Sequence, residues 1–335
     1  MMAMTRTRTM NRNTVLPYFR AGLAMCTAVL AASCAPADGV SDDLSPTPTD
    51  RTDTVRLESD GTGVLEHHSV MIDDLERTWS TYIPTGGAGP AAPLVVVLHG
   101  TGDTGRGIRG AIGPDLEKVA DEHGFSIAYV DGHRNNWNEC RLEGDWPAKA
   151  RDLDDVGLVR EVVRVHGSSG PVHAVGFSSG GHMAMRLAME APDLVEGVAS
   201  VAANPPAEGN QTCDDAGGAV PIMFVQGRED PINPLQGGEV RVGSGPYAVS
   251  RGDVLSAVDG AEWFAERNGA TITPAPTPER DGAVETFTWP GPEPVRLVVL
   301  DRVGHSFPTL SGRWGGDARV RYDGPGEIWR FFSGD

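Results

Sequence analysis

Residues 171–188 read PVHAVGFSSGGHMAMRLA, and this stretch decides the fold. The apolar, β-branched run from Val172 to Val175 has the character of a buried strand. From Gly181 the apolar spacing changes to that of a helix. Between them lies Gly176-Phe177-Ser178-Ser179-Gly180, a G-x-S-x-G turn. Glycines on either side of a serine remove the Cβ atoms that would collide as strand and helix close on each other. Ser178 is then presented at a helix N-terminus, where free amide N–H groups favour negative charge. Such a pentapeptide also fits an ordinary turn; the strand before it and the helix after it favour a nucleophile elbow.

Outward from the elbow, strands and helices alternate. On the N-terminal side, Leu65–Ile72 and Arg77–Ile83 predict an antiparallel pair. Leu94–Leu98 predicts a strand buried on both faces, leading into His99-Gly100-Thr101-Gly102. A helix is expected over Asp115–His123, a strand over Ser126–Val130, a long polar loop over 131–151 and a helix opened by Asp154 and Asp155. On the C-terminal side, strands are expected over Gly197–Ala202 and Val220–Gln226 and a helix over Val254–Asn268. A strand pair, Glu285–Trp289 and Val295–Leu300, and a last helix over Glu327–Phe332 complete the pattern. One mostly parallel sheet covered by helices on both faces is the economical architecture.

A serine hydroxyl is a weak nucleophile until a base takes its proton, and that base needs a carboxylate to hold its tautomer. Asp230 lies just beyond the apolar strand that ends at Gln226, with Glu229 as its rival. His305 follows the strand ending at Leu300 and lies after the acid in the chain. The order is therefore Ser178, Asp230, His305. For the developing oxyanion, two backbone donors are expected: the N–H of Ser179 and the N–H of Thr101 in the loop after the first buried strand. His67, His68, His123, His133 and His166 read as solvent-facing, His173 as a packed core imidazole and His99 as a structural hydrogen-bonding group. His182 reads first as a packing residue, with a supporting role behind the serine as the alternative.

These motifs together resemble the α/β-hydrolase esterases of the polyhydroxybutyrate depolymerase and feruloyl esterase type, including bacterial lipoprotein relatives. The resemblance covers about Leu94 to Phe332. It rests on LVVVLHG, on Asn136-Trp137-Asn138 with Cys140, on Asp154-Asp155-Val156-Gly157, on GFSSGGHMA, on QGREDPINPLQGG and on GHSFP. It implies the α/β-hydrolase fold and a serine esterase with no cofactor. The sequence departs from the group at Gln226, Leu235 and Phe307, where His, Tyr and Trp are usual. Trp137 and Phe307 are expected at the substrate pocket; the alternative for the tryptophan is a disulfide-pinned surface loop packed on the core. The chain stops three residues after its expected last helix, and this favours soluble or oligomeric short-chain, hydroxyalkanoate or feruloyl esters over crystalline polymer. A peptidase of the same fold and a catalytically dead, envelope-tethered binding lipoprotein are the competing expectations.

Composition bounds the partners. The net charge is -18, and the first 34 residues contribute four arginines and no acid, so the remainder is more acidic still. A surface of that sign repels nucleic acid and anionic lipid headgroups. Residues 1–34 have a basic start and a short apolar run, 21–32, as in an export signal. The ending Leu-Ala-Ala-Ser-Cys resembles a bacterial lipobox with Cys34 as the lipidation site, although Ala31 stands where a larger aliphatic residue is usual. An N-terminal lipid would then be the one membrane contact, on an exported or envelope-tethered protein. Residues 35–63, rich in Asp, Thr, Ser, Pro and Gly, read as a disordered linker, and 64–335 as the catalytic domain. Cys140 and Cys213 are the two cysteines left in the body; in an exported protein they predict a disulfide, against two unrelated buried thiols. No Cys/His cluster has metal-ligand spacing, so no metal is expected.

Overall fold

A computed structural model describes residues 53–58, 63–243, 245–272, 276–312 and 320–335. The expected export signal, with Cys34, and most of the expected linker lie outside the described residues. In chain order the first half holds β1 (Asp53–Glu58), β2 (Val64–Ile72), β3 (Leu75–Ile83), β4 (Leu94–Leu98), α1 (Gly105–His123), β5 (Ser126–Val130), α2 (Pro147–Ala150), α3 (Asp155–His166) and β6 (Val172–Phe177). The second half holds α4 (Ser179–Glu190), β7 (Gly197–Val201), β8 (Ile222–Gly227), β9 (Gly238–Val242), β10 (Val249–Val254), α5 (Ala257–Arg267), β11 (Glu279–Asp281), β12 (Val284–Trp289), β13 (Val295–Leu300) and α6 (Gly324–Ser333).

Eleven strands form one sheet in the order β1-β2-β3-β5-β4-β6-β7-β8-β13-β12-β11, and β9 and β10 pair separately. The run from β5 to β13 is parallel, with antiparallel strands at both edges. Every residue of β4 to β8 is buried, as expected of strands covered on both faces. Alternation along β4 shows the two layers. Leu94, Val96 and Leu98 enter the core with α3, α4 and α5; Val95 and Val97 enter the one with α1 and α6.

Three expectations are corrected. Helix α1 begins ten residues before Asp115, N-capped by the Thr104 hydroxyl, which accepts from Gly107 N–H. Its first half, GRGIRGAIG, has poor helix propensity and contains no continuous apolar run. Ile108 and Ile112, four apart and fully buried, hold it against the sheet. The expected helix over 254–268 loses Val254 to β10, and α5 starts at Ala257 behind the Ser256 cap. The sheet also begins earlier than residue 64: β1 pairs residue by residue with β2 and lies inside the stretch expected as a linker. Its edge position demands backbone pairing rather than burial, and Val55 remains exposed.

His173 packs as expected, its ring 4.4 Å from Phe332 and nearly parallel to it. His68 does not face solvent. It is buried and stacked on Trp79 at 5.0 Å, because β2 turns that position toward the core.

Candidate active site

The elbow glycines are dictated by contact. A Cβ on Gly176 would sit 2.0 Å from the Gly180 carbonyl oxygen, and one on Gly180 would sit 2.1 Å from the Leu98 carbonyl oxygen. Any side chain there would push β6, α4 and β4 apart. Ser178 itself takes φ 55 and ψ -119, a left-handed conformation that a non-glycine residue adopts at a cost of about 1 to 3 kcal/mol. Its N–H donates to the Val201 carbonyl at 2.9 Å, which ties the strained residue to the neighbouring strand.

Three loops at the C-terminal ends of the parallel strands converge here. The Ser178 hydroxyl is 3.0 Å from His305 Nε2, and His305 Nδ1 is 2.7 Å from Asp230 Oδ2. With Nδ1–H donating to the carboxylate, Nε2 is left as the acceptor that a serine proton needs. The other oxygen, Asp230 Oδ1, accepts from the backbone N–H groups of Ile232 and Asn233 at 2.8 and 2.9 Å. Asp230 is buried, while His305 keeps partial access to solvent. The rival Glu229 is exposed.

Thr101 and Ser179 flank this chain of bonds. Among the described residues neither backbone N–H is engaged by a hydrogen bond. A Cβ built on Gly100 would lie 3.4 Å from Ser178 Cβ, so the Thr101 loop runs directly over the serine. His99 fixes that loop: Nδ1–H donates to Gly100 O at 2.8 Å, and Nε2 accepts from Gly132 N–H at 2.9 Å. Burial lowers the pKa of its imidazole, which keeps Nε2 an acceptor.

The two residues expected at the substrate pocket lie elsewhere. Trp137 is fully buried, its indole N–H donating to His99 O at 2.8 Å; it supports the loop from beneath. Phe307 is 1% exposed and packs 6.5 Å from Phe177. Neither presents a face to a bound ester. The physical reason is the same for both: each aromatic ring completes a core layer directly under the site, where exposing it would forfeit its apolar burial.

Sequence reasoning missed the polar scaffold behind the acid. Asn233 Oδ1 accepts from Asn204 N–H at 3.1 Å, and Gln226 Nε2 donates to Ala203 O at 2.9 Å. Gln226, fully buried at the position where the resembling group has His, thus holds the loop after β7 in place. The signal available was a polar residue ending an otherwise apolar strand. His182, one turn below the serine, donates from Nδ1 to the Ser178 carbonyl at 3.2 Å. Burial and the nearby Arg141 push its pKa down to about 3.

The disulfide is present: Cys140 and Cys213 are bridged across a separation of 73 residues. It anchors the loop that carries Trp137 beside the buried pair Glu139–Arg141 at 2.7 Å. An apolar cavity of about 370 Å³, lined by Cys140, Met185, Met189, Pro205, Trp263 and Phe264, lies along α4 and includes no residue of the triad.

Known proteins resemble this chain in sequence and in fold. Residues 93–220 match the family model of the alpha/beta hydrolase fold. The chain is 30% identical over 317 residues to NocK of Nocardia uniformis subsp. tsuyamanensis, which carries an esterase designation; the match covers 86% of this chain and 89% of the relative. Among solved structures it is similar to an acetyl xylan esterase from Aspergillus awamori, with a TM-score of 0.50 and 14% identity over 78% of this chain and 97% of that one. At that identity the likeness is one of fold.

Proposed function

The chain belongs to the α/β-hydrolase family and is of esterase type; from that premise we propose that it is a serine carboxylic-ester hydrolase working through an acyl-enzyme. Ser178 Oγ attacks the ester carbonyl carbon as its proton passes to His305 Nε2. Asp230 holds the imidazole in the required tautomer and balances the charge it gains. The carbonyl oxygen, now an oxyanion, accepts hydrogen bonds from the N–H groups of Thr101 and Ser179. Collapse breaks the bond to the alcohol oxygen, which leaves with the proton from His305. Water, deprotonated by the same imidazole, then attacks the acyl-serine and releases the carboxylic acid and the free serine.

The observation that carries this reading is the unbroken hydrogen-bond chain from Ser178 through His305 to Asp230. The proposed substrates are soluble short-chain, hydroxyalkanoate-oligomer or feruloyl esters, and the proposed location is outside the cytoplasm, which the disulfide supports. A panel of these esters on the purified protein, with 4-nitrophenyl esters followed in the first turnover, tests the activity. A burst of nitrophenol in the wild type and none in Ser178→Ala is expected, along with fluorophosphonate labelling of Ser178. Full activity in Ser178→Ala would place the nucleophile elsewhere.

A further inference from the structure

Three amide side chains and one peptide unit make a closed polar ring behind the acid. The peptide joining Ala203 to Asn204 lies just past β7, the strand whose Val201 carbonyl accepts the Ser178 N–H at 2.9 Å. Its two ends are held from β8 and from the acid loop: Gln226 Nε2 donates to Ala203 O at 2.9 Å, and Asn233 Oδ1 accepts from Asn204 N–H at 3.1 Å. Asn233 Nδ2 in turn donates to Gln226 Oε1 at 3.4 Å, which closes the ring. A backbone N–H can only donate and a carbonyl can only accept, so the peptide fixes the orientation of both amides that grip it. The Asn204 side chain returns the contact, with Nδ2 donating to Pro234 O at 2.9 Å.

Asn204 and Gln226 are fully buried, and Asn233 is 2% exposed. Buried amides are costly unless paired, and the apolar residues just before Gln226, Phe224 and Val225, fill the same strand without that cost. What the polar ring adds is geometry, because a satisfied hydrogen-bond network rigidifies its members in one arrangement. That geometry matters at Asp230. Asn233 supplies the ring with its side chain and Asp230 Oδ1 with its backbone N–H, at 2.9 Å. With Oδ1 occupied by that donor and by Ile232 N–H, Oδ2 is the oxygen left for His305 Nδ1–H, at 2.7 Å. The ring therefore links the strand that holds Ser178 to the carboxylate that orients His305, by a route that does not pass through the imidazole.

We propose that Asn233 is a positioning residue for the acid: its side chain, held by Gln226 and by the peptide joining Ala203 to Asn204, sets the orientation of Asp230 and so the place of His305 relative to Ser178. The inference rests on the serine-hydrolase reading of the triad. The bonds of Asn233 go to Asp230, Asn204 and Gln226, so it acts on the reaction through the acid alone.

In the test, Asn233→Leu removes the amide at similar volume, and Gln226→Met opens the ring from the other side while leaving Asn233 in place. Active sites are counted by fluorophosphonate titration of the full chain, and a 4-nitrophenyl ester gives kcat and KM. Each variant is expected to lower kcat by about 10- to 100-fold with KM within about twofold, since a displaced catalytic group costs turnover rather than binding. In the double variant kcat falls no further than in the worse single one, because the same ring is broken in both. The arm that separates positioning from general support is the Asp230→Asn background. There Asn233→Leu is expected to change kcat by less than about twofold, because no carboxylate is left to orient. Ile112→Val, in the core layer on the other face of the sheet, leaves kcat unchanged. An equal loss of kcat with and without the Asp230 carboxylate, or full kcat in both folded ring variants, overturns the positioning role and leaves the triad standing. If Asn233→Leu does not fold, Gln226→Met in the two backgrounds decides by the same criteria. If no ester is hydrolysed by the wild type, the serine-esterase reading fails instead.

Discussion

Asp230 accepts three hydrogen bonds, two from backbone N–H groups and one from His305 Nδ1–H. An amide in its place would keep the shape while favouring the imidazole tautomer whose Nε2 carries the hydrogen. Asp230→Asn is therefore expected to lower kcat by about 10³- to 10⁴-fold with little change in KM, read from steady-state kinetics on a 4-nitrophenyl ester. Unchanged kcat would remove Asp230 from the mechanism. At the same scale, Ser178, Asp230 and His305 were legible because each follows an apolar strand in the order that a nucleophile, an acid and a base require. The fates of Trp137 and Phe307 were not legible. A tryptophan beside a reactive loop can wall a pocket or fill a core, and its local sequence is the same in both cases.

At the scale of elements, helix α3 divides its two opening aspartates between two tasks. Asp154 caps the helix by accepting from Gly157 N–H, and the fully buried Asp155 bonds Arg77 of β3 at 2.6 Å. Burial pushes the Asp155 carboxyl above its ordinary pKa despite Arg77, so the pair exists only because both partners are present. Asp155→Ala, which strands a buried guanidinium, is expected to destabilise the fold by about 3 to 5 kcal/mol in denaturant unfolding. A loss under 1 kcal/mol would show that Arg77 finds solvent instead. The disulfide joins two loops outside the regular elements. Its removal in Cys140→Ala with Cys213→Ala is expected to cost roughly 4 kcal/mol by the chain-entropy relation for a loop of this length. An equal midpoint for the double variant and the oxidised wild type would refute that. Strands β9 and β10 escaped sequence reading because they pair only with each other through backbone groups, and their side chains show little of the alternation that burial imposes.

For the whole molecule, pH acts through imidazoles that folding keeps neutral. Burial pushes the pKa of His173 down to about 4 and that of His182 to about 3, against about 6.5 in an unfolded chain. Between those limits the unfolded state binds more protons than the folded one, so stability falls as pH falls from 6.5 toward 4. From pH 6.5 to 5 each histidine contributes about 1.6 kcal/mol of that loss. His173→Phe, which retains the stack on Phe332, is expected to flatten the dependence by about that amount when urea midpoints are compared at the two pH values. An unaltered slope would show that His173 is solvated.

The sequence by itself determined the parallel strands, whose continuous β-branched runs have no other stable home, the elbow, and the chain order of serine, acid and histidine. It also singled out the cysteine pair. Only the tertiary structure decided that a glycine-rich segment becomes the first half of α1, and that His68, Trp137 and Phe307 turn inward. Local chemistry specifies what each residue can do; burial, pairing and neighbouring charge depend on what the rest of the chain brings to the same place.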